Sequence, residues 1–215
     1  MATKNLRTRK ARKGIVGIEA AIVLIAFVIV AAALAFVTLN MGFYTTQKSK
    51  ETMKTGLEEA TSALEVDGSV IGAVDTSAEA VWAIAIPIKL SSGRSPVDLT
   101  KVAITITTEN KTVYLTVSEQ NPEIQTSPGT SDVFDTLKNS SKDFLFIEYV
   151  GDGDNLVEVN EKWVLAITLN STDVLDYKLE AYSTITVEIK PATGAPLTVE
   201  RMIPAQLSND RVVLT

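Results

Sequence analysis

Residues 15–39 form an almost uninterrupted apolar run with a single charge, Glu19, and this run limits the possible folds more than any other feature. A stretch of more than about 18 apolar residues is long enough to cross a bilayer as a helix. Residues 1–14 before it hold six Lys and Arg side chains and no acid. The positive-inside rule therefore places residues 1–14 in the cytoplasm and the rest of the chain outside.

The basic segment is predicted to be a leader that an enzyme removes. An ordinary secretory signal has an apolar stretch of only about 7–15 residues, followed by a small-residue cleavage site. Cleavage after the much longer run seen here would discard the most apolar part of the chain. Cleavage between Gly14 and Ile15 would remove only the charges, so we predict that residues 1–14 are a cleaved basic leader.

The helix is expected to continue well beyond the apolar run. Apolar side chains such as Met53 and Leu57 recur at helical spacing, with no proline in between. We predict one helix over residues 15–66, about 78 Å long at ~1.5 Å per residue, ended by Gly68 as the C-terminal cap. Its first half is apolar all round and its second half is amphipathic, which predicts that residues 15–67 pack against other helices.

Residues 68–215 are predicted to form a β-sandwich. Short segments rich in β-branched and aromatic residues alternate with turn clusters, and several of them alternate apolar with polar residues. The fold class is therefore α+β, a long N-terminal hydrophobic α-helix followed by an all-β, immunoglobulin-like sandwich. Trp82 and Trp163 are predicted core residues of two strands. The candidate strands cover residues 81–86, 102–107, 112–117, 144–150, 163–169, 182–189 and 197–203, with another around Val74.

Charge and composition exclude several function classes. The formal net charge is −6 and the leader carries +6, so the remainder carries −12. Phosphates would be repelled by such an acidic body, which excludes nucleic acid as a partner. The chain has neither Cys nor His, so disulfide and thiolate chemistry and the commonest general base are missing. Composition does not by itself exclude an enzyme, but with these usual catalytic groups missing we predict that the protein is not one.

Several segments resemble the archaeal flagellins, or archaellins. Arg12-Lys13-Gly14 followed by residues 15–27 is similar to the class III (type IV pilin-like) signal peptide and first mature turns of that family. The acidic loop at residues 151–158, followed by Glu161-Lys162-Trp163, resembles a loop of many archaellins. Residues 199–204 are similar to the family's last strand, so the resemblance covers nearly the full length.

The resemblance implies a structural subunit of the archaeal flagellum (archaellum) filament, which serves swimming motility. It implies a precursor in the cell membrane, cut between Gly14 and Ile15 by a prepilin or preflagellin peptidase. The mature helix would then enter a helical homopolymer outside the cell, with no cofactor required. Two alternatives remain open: an archaeal adhesive type IV pilin, and a membrane-anchored extracellular binding domain whose apolar run is only an anchor.

Six residues of the apolar run are candidates for contacts between copies. Small residues such as Ala31 allow helices to approach closely. The acid equivalent to Glu19 in type IV pilins is thought to meet the new amino group of a neighbouring subunit. The alternative is a glutamate that simply reaches out to water near the helix start. The candidate assembly residues are Glu19, Ile22, Leu24, Phe27, Ala31 and Leu34.

The acidic loop is a candidate for structural Ca²⁺. Asp152, Asp154 and Glu158 offer carboxylate oxygens around a glycine-containing turn, and Ca²⁺ takes several such oxygens. Glu161 or a backbone carbonyl could complete the shell. The alternative is a solvated acidic hairpin turn, because Asp-Gly is a strong turn signal by itself.

Three Asn-X-Ser/Thr triplets are candidate glycosylation sites, at Asn110, Asn139 and Asn170. Asn110 and Asn139 lie in predicted loops, whereas Asn170 lies at a predicted strand end. Three such sites on an outward-facing domain predict a secreted glycoprotein, and the resemblance to archaellins implies the same.

Overall fold

A computed structural model describes residues 15–91, 95–117, 123–125, 132–140, 142–171, 174–176 and 178–215. It begins with one 47-residue helix, Ile15–Thr61 (α1), about 70 Å long at ~1.5 Å per residue. The helix is long and apolar enough to cross a membrane, and its most apolar window has a mean hydropathy of 3.1. Gly14 lies outside the described residues, and Ile15 is the first helical residue.

The end of α1 at Thr61 corrects the prediction of a helix that reaches Val66. The chain after it joins a β-sheet as Leu64–Val66 (β1), where Leu64 pairs with Leu90 and is buried. Burial of Leu64 in the core outweighs its helical spacing, since tertiary packing routinely overrides local propensity. Gly68 is therefore not a helix cap; it follows β1 with a φ of +126°.

The chain divides into two compact units, one up to Lys54 and one from Thr55 onward. The second unit contains the last turns of α1, the strands and a short helix, Val133–Asn139 (α2). After β1 the strands are Ile71–Asp75 (β2), Ala80–Leu90 (β3), Val97–Asp98 (β4), Ala103–Thr108 (β5), Thr112–Thr116 (β6), Glu123–Gln125 (β7), Phe144–Val150 (β8), Leu156–Val157 (β9), Lys162–Thr168 (β10), Thr184–Lys190 (β11), Leu197–Met202 (β12) and Arg211–Val213 (β13).

The strands form a sandwich, as the sequence predicts. Among the described residues the larger sheet has seven strands, in the order β13-β2-β3-β10-β8-β7, with β1 paired to the far end of β3. The smaller sheet has the order β12-β11-β5-β6, and β4 pairs with β9. All of these pairs are antiparallel except β7 with β8.

The main core contains side chains from both sheets. Alternate residues of β11 and β5 are buried, such as Ile185, Val187 and Ile104, as expected for strands with one buried face. Trp163 is 1% exposed in the same cluster, so its predicted core position is confirmed. Burial of each such large apolar side chain contributes about 1.5–3 kcal/mol.

A second, smaller apolar cluster lies under α2. The sequence analysis did not predict this helix. Four alanines on β2, β3 and β10 leave room for Phe134 and Leu137 of α2 to pack against them. Asp132 caps the helix by accepting a hydrogen bond from the N–H of Phe134 at 3.3 Å. Arg211 of β13 forms an ion pair with Asp132, and its guanidinium lies 5.7 Å from the Phe134 ring centre. The alanines are Ala73, Ala83, Ala85 and Ala166.

Candidate assembly surface and metal centre

The apolar surface of α1 is exposed in the single chain. Large apolar side chains from Ile18 to Leu39 are between 52% and 70% exposed. Soluble monomers rarely expose a contiguous apolar patch of more than a few hundred Å². Lipid or other protein must therefore cover this surface.

The predicted assembly residues all lie on this exposed surface. Leu24, Phe27, Ala31 and Leu34 follow one another at steps of three and four, so they share one face of α1. Ala31 is the small residue within that face, between larger side chains. Ala31 is exposed, and so are the two remaining candidates, Glu19 and Ile22, which point away from that face.

Several threonine hydroxyls along α1 donate hydrogen bonds within the helix itself. The hydroxyls of Thr38 and Thr45 donate to the carbonyl oxygens four residues earlier, both at 2.8 Å. Thr46 does the same at 2.8 Å, and Lys48 pairs with Glu51 at 2.7 Å. These threonines can therefore enter apolar surroundings without leaving their hydroxyls unpaired, which would be costly.

Three carboxylates converge beside the acidic loop. Oxygens of Glu148, Asp152 and Glu161 lie within 4.8 Å of one another. Glu148 near the end of β8 is 1% exposed, Glu161 just before β10 is 8% exposed, and Asp152 is exposed. Because Ca²⁺–oxygen distances are about 2.3–2.6 Å, oxygens that bind one ion lie at most roughly 4.6–5.2 Å apart, and the three carboxylates meet this limit.

Backbone groups fix two of these carboxylates. Glu148 Oε1 accepts a hydrogen bond from the N–H of Gly153 at 3.0 Å, and Glu161 Oε2 accepts one from the N–H of Glu158 at 2.9 Å. Glu148 Oε2 is buried and has no hydrogen-bond partner in the described part of the chain. A Cβ at Gly151 would lie 1.9 Å from Glu148 Oε1 and 2.8 Å from Glu148 Cδ, so any other residue there would displace the Glu148 side chain.

Of the predicted metal ligands, the structure brings only Asp152 into this cluster. Asp154 Oδ1 instead accepts a hydrogen bond from the N–H of Leu156 at 2.7 Å, which forms a local turn. The side chain of Glu158 is exposed, and only its backbone N–H reaches the cluster. Glu161, one of the two groups predicted to complete the shell, is part of the cluster.

Sequence reasoning missed Glu148 as a candidate ligand. It follows four buried apolar residues of β8, and its own side chain is buried as well. An acid that continues such an apolar segment could have been recognised, since buried carboxylates are paired or bind metals.

The predicted glycosylation sites are all exposed. Asn110 lies in the turn between β5 and β6, and Asn139 is the last residue of α2. Asn170 follows the end of β10. Ser141 and Thr172, which complete the second and third triplets, lie outside the described residues.

Comparison with known proteins gives a consistent result. Residues 14–201 match the archaeal-type flagellin family. A probable flagellin of Aeropyrum pernix is 50% identical over 201 residues, which cover 91% of this chain and 94% of that protein. A probable flagellin of Archaeoglobus fulgidus is 37% identical over 218 residues, which cover 97% of this chain and 98% of the relative.

Two solved structures share the fold. A subunit of the archaeal flagellum of Methanospirillum hungatei strain JF1 matches with a TM-score of 0.63 and 28% identity. The match covers 92% of this chain and 98% of that subunit. A crystal structure of an archaeal flagellin of Methanocaldococcus jannaschii matches with a TM-score of 0.61 and 19% identity, over 71% of this chain and 96% of the other.

Proposed function

The chain belongs to the archaeal-type flagellin family, and we propose how it is processed and assembled into a filament. It is a structural subunit of the archaeal flagellum, an extracellular homopolymer, and not an enzyme. We propose that the precursor resides in the cell membrane, loses residues 1–14 to a prepilin-type peptidase and then assembles through α1. The observation that carries this proposal is the exposed apolar surface of α1.

The energetics of this surface favour assembly over release into water. Burial of a helix face of about 1,000 Å² contributes roughly 25 kcal/mol in gross terms at ~25 cal/mol per Å². The estimated loss of translational and rotational freedom on association is about 4–15 kcal/mol. A subunit can therefore leave lipid for a contact with equally apolar neighbours, but its release into water is very unfavourable.

Removal of the leader also removes an electrostatic obstacle. Residues 1–14 carry a charge of +6 next to the apolar run. Copies packed side by side through α1 would bring these like charges together, and like charges repel. Cleavage at Gly14 leaves an apolar start at Ile15 that can lie among other copies.

Amino-terminal sequencing of the filament protein tests the cleavage. Filaments sheared from the source cells should contain a chain that begins at Ile15, because the leader is lost before assembly. A chain that begins at Met1 or Ala2 would refute the proposal and indicate an ordinary membrane anchor. Gly14→Val should block cleavage, since a small residue precedes the cut, whereas Ala11→Val serves as a matched control that is still cleaved.

Deletion of the gene separates swimming from attachment. We expect the deleted cells to lose swimming and to keep surface attachment. Intact swimming with lost attachment would instead indicate an adhesive pilin. Restoration of swimming by the wild-type chain, but not by the Gly14→Val variant, would connect cleavage to assembly.

We further propose that Glu148, Asp152 and Glu161 hold a structural Ca²⁺ ion. Three carboxylates within 4.8 Å repel one another unless a cation compensates them. The buried, unpartnered Glu148 Oε2 supports a ligand at this position. The ion would tie the loop after β8 to the start of β10, which rigidifies the sandwich and performs no catalysis.

Thermal unfolding in calcium and in a chelator tests the metal site. At a Ca²⁺ concentration about 100 times the Kd, an ion that binds only the folded state adds roughly 2.7 kcal/mol. This corresponds to a Tm higher by about 5–11 °C for a domain of this size. Glu148→Gln should abolish the difference, whereas Glu158→Gln should keep it. An equal Tm with and without Ca²⁺ would exclude the site.

A further inference from the structure

Two hollows of about 490 Å³ and 230 Å³ lie at the start of β10 and share Lys162 as a common wall. Lys89 and Val159 line the larger hollow, whereas Pro87 and Tyr149 line the smaller one. We call the area formed by the two hollows the basal surface. Each hollow therefore combines apolar side chains with the charged end of a lysine.

A β-bulge exposes Tyr149 at the basal surface. In the pairing of β10 with β8, Lys162 lies opposite Val150 and Trp163 lies opposite Glu148, so Tyr149 is the extra residue. Such a bulge redirects a side chain relative to a regular strand. Tyr149 is 65% exposed, and Val159 at the other hollow is 54% exposed. Each hollow is thus bordered by a large apolar side chain that the single chain leaves open to water.

Ion pairs hold the lysines of the basal surface in place. Lys162 Nζ lies 2.6 Å from Asp67 Oδ2. Lys89 Nζ lies 3.0 Å from Asp67 Oδ1 and 3.3 Å from Glu65 Oε1. Because their partners fix these long side chains, the hollows are formed before anything binds, and binding costs less ordering of side chains.

The basal surface adjoins the end of α1. The larger hollow is lined by Leu90, which pairs with Leu64 of β1, just after the helix. The hydroxyl groups of Thr61, the last residue of α1, and Ser95 lie 2.9 Å apart and form a hydrogen bond. A copy that packs against the last turns of α1 therefore lies next to the basal surface.

The last turns of α1 carry an apolar stripe that the chain itself leaves uncovered. Met53 and Leu57 are four residues apart, so they share one face, and they are 74% and 64% exposed. Gly56 and Ala60 are the small, exposed residues beside them. Six charged residues lie between positions 48 and 59, so lipid does not cover this part of the helix. A protein surface with polar edges is the cover that remains.

We propose that the basal surface binds the last turns of α1 from a second copy, with Met53 and Leu57 in the two hollows. Apolar side chains at four-residue spacing are the usual anchors of a helix that lies in a groove. They are about 6 Å apart along the axis at ~1.5 Å per residue, which suits two hollows separated by one lysine side chain. The charged residues of the stripe remain at the edge, in water.

The two surfaces differ from each other, so the contact is heterologous. A heterologous contact that does not close into a ring produces an open helical filament. The homopolymer of this family is such a filament. The inference rests on the proposed assembly through α1 and adds the surface of the sandwich that receives the helix.

Cross-linking of intact filaments tests the contact. The chain has no cysteine, so Leu57→Cys combined with Val159→Cys supplies two thiols only. A short bismaleimide should give a ladder of covalent dimers and longer oligomers, roughly tenfold more than in detergent-dissociated protein, because side chains in contact react at a high effective concentration. A link within one chain keeps the mass of a monomer. Leu57→Cys combined with Tyr114→Cys, on β6 of the smaller sheet, is the matched control and should give no ladder.

A single substitution tests the same contact without a cross-link. Val159→Cys lies at an exposed position, where substitutions disturb folding little. Maleimide should label it in detergent but not in intact filaments, whereas Tyr114→Cys should be labelled in both.

Three results would overturn the proposal: no ladder from filaments of the first pair, equal ladders from both pairs, or rapid labelling of Val159→Cys in filaments. If Leu24→Cys stays protected in the same filaments, only the basal contact is wrong. If Leu24→Cys is labelled as well, assembly through α1 itself has failed.

Discussion

Replacement of Gly194 by Ala tests how tightly the chain is held where it leaves α1. Gly194 lies between β11 and β12 with a φ of +110°. The N–H of the next residue, Ala195, donates to the carbonyl oxygen of Ser62 at 3.1 Å. A Cβ at Gly194 would lie 2.0 Å from that oxygen, so the backbone itself would have to move.

The segment around Ser62 has little freedom to move away. The N–H of Ser62 donates to Glu58 at 2.8 Å, and the carbonyl oxygen of Ala63 accepts from Ser91 at 2.7 Å. A β-carbon at positive φ costs about 1–3 kcal/mol, and loss of the Ala195–Ser62 hydrogen bond costs roughly a further 0.5–1.5 kcal/mol. We expect Gly194→Ala to lower the free energy of unfolding by about 2–4 kcal/mol.

Gly68→Ala serves as a control that carries the cost of a β-carbon at positive φ without the steric contact present at Gly194. Gly68 has a φ of +126°, but its nearest atom to an added Cβ is Pro87 Cγ at 3.8 Å, an ordinary contact. Unfolding of the detergent-solubilised chain can be followed by the fluorescence of its two tryptophans, both in the sandwich. Both variants carry the cost of positive φ, so the Tm of Gly194→Ala should be lower than that of Gly68→Ala by the effect of the lost hydrogen bond, about 1–6 °C at ~2–4 °C per kcal/mol. Equal Tm values would refute the close packing of Ser62 against Gly194.

Three further predictions follow from single residues. Hydrogen bonds from Lys162 and Lys89 lower the pKa of Asp67 below its ordinary value of 3.8. This carboxylate therefore stabilises the fold above about pH 4, and the contribution is lost as the pH falls through its folded-state pKa. In Asp67→Asn the free energy of unfolding should depend less steeply on pH in this acid range. Gly56→Ala, in the interior of α1 with open space around it, should raise the free energy of unfolding by about 0.5–1 kcal/mol in denaturant titrations. Phe27→Ala should cost about 3–5 kcal/mol per subunit in the filament, visible in sedimentation assays as a larger unassembled fraction.

The pattern of apolar and polar residues along the chain was sufficient to predict α1 and most of the strands. A long apolar run has few alternatives to a helix, and alternating β-branched segments have few alternatives to strands with one buried face. The predictions were wrong where a distant partner decides the conformation. Leu64 continues the helical spacing of α1, but its pairing with Leu90 makes it part of a strand.

The acidic loop and α2 show the same limit. Asp152 was predicted as a metal ligand because it lies in an evident turn. Glu148 belongs to an apolar strand, and only the fold brings its carboxylate close to that of Asp152. For α2 a local signal existed, since Asp132 before Phe134 and Leu137 has the form of a capped amphipathic turn. The alanines beneath α2 come from three different strands, so its docking site could not be recognised locally.

Thiol labelling of intact filaments tests the burial of α1 between copies most directly. The chain has no cysteine, so Leu24→Cys introduces a single thiol on the predicted assembly face, and Asn110→Cys introduces one on the sandwich. We predict that maleimide does not label Leu24→Cys in intact filaments and labels it fully after dissociation in detergent, while Asn110→Cys is labelled in both. Rapid labelling of Leu24→Cys in intact filaments would contradict a filament built through this helix.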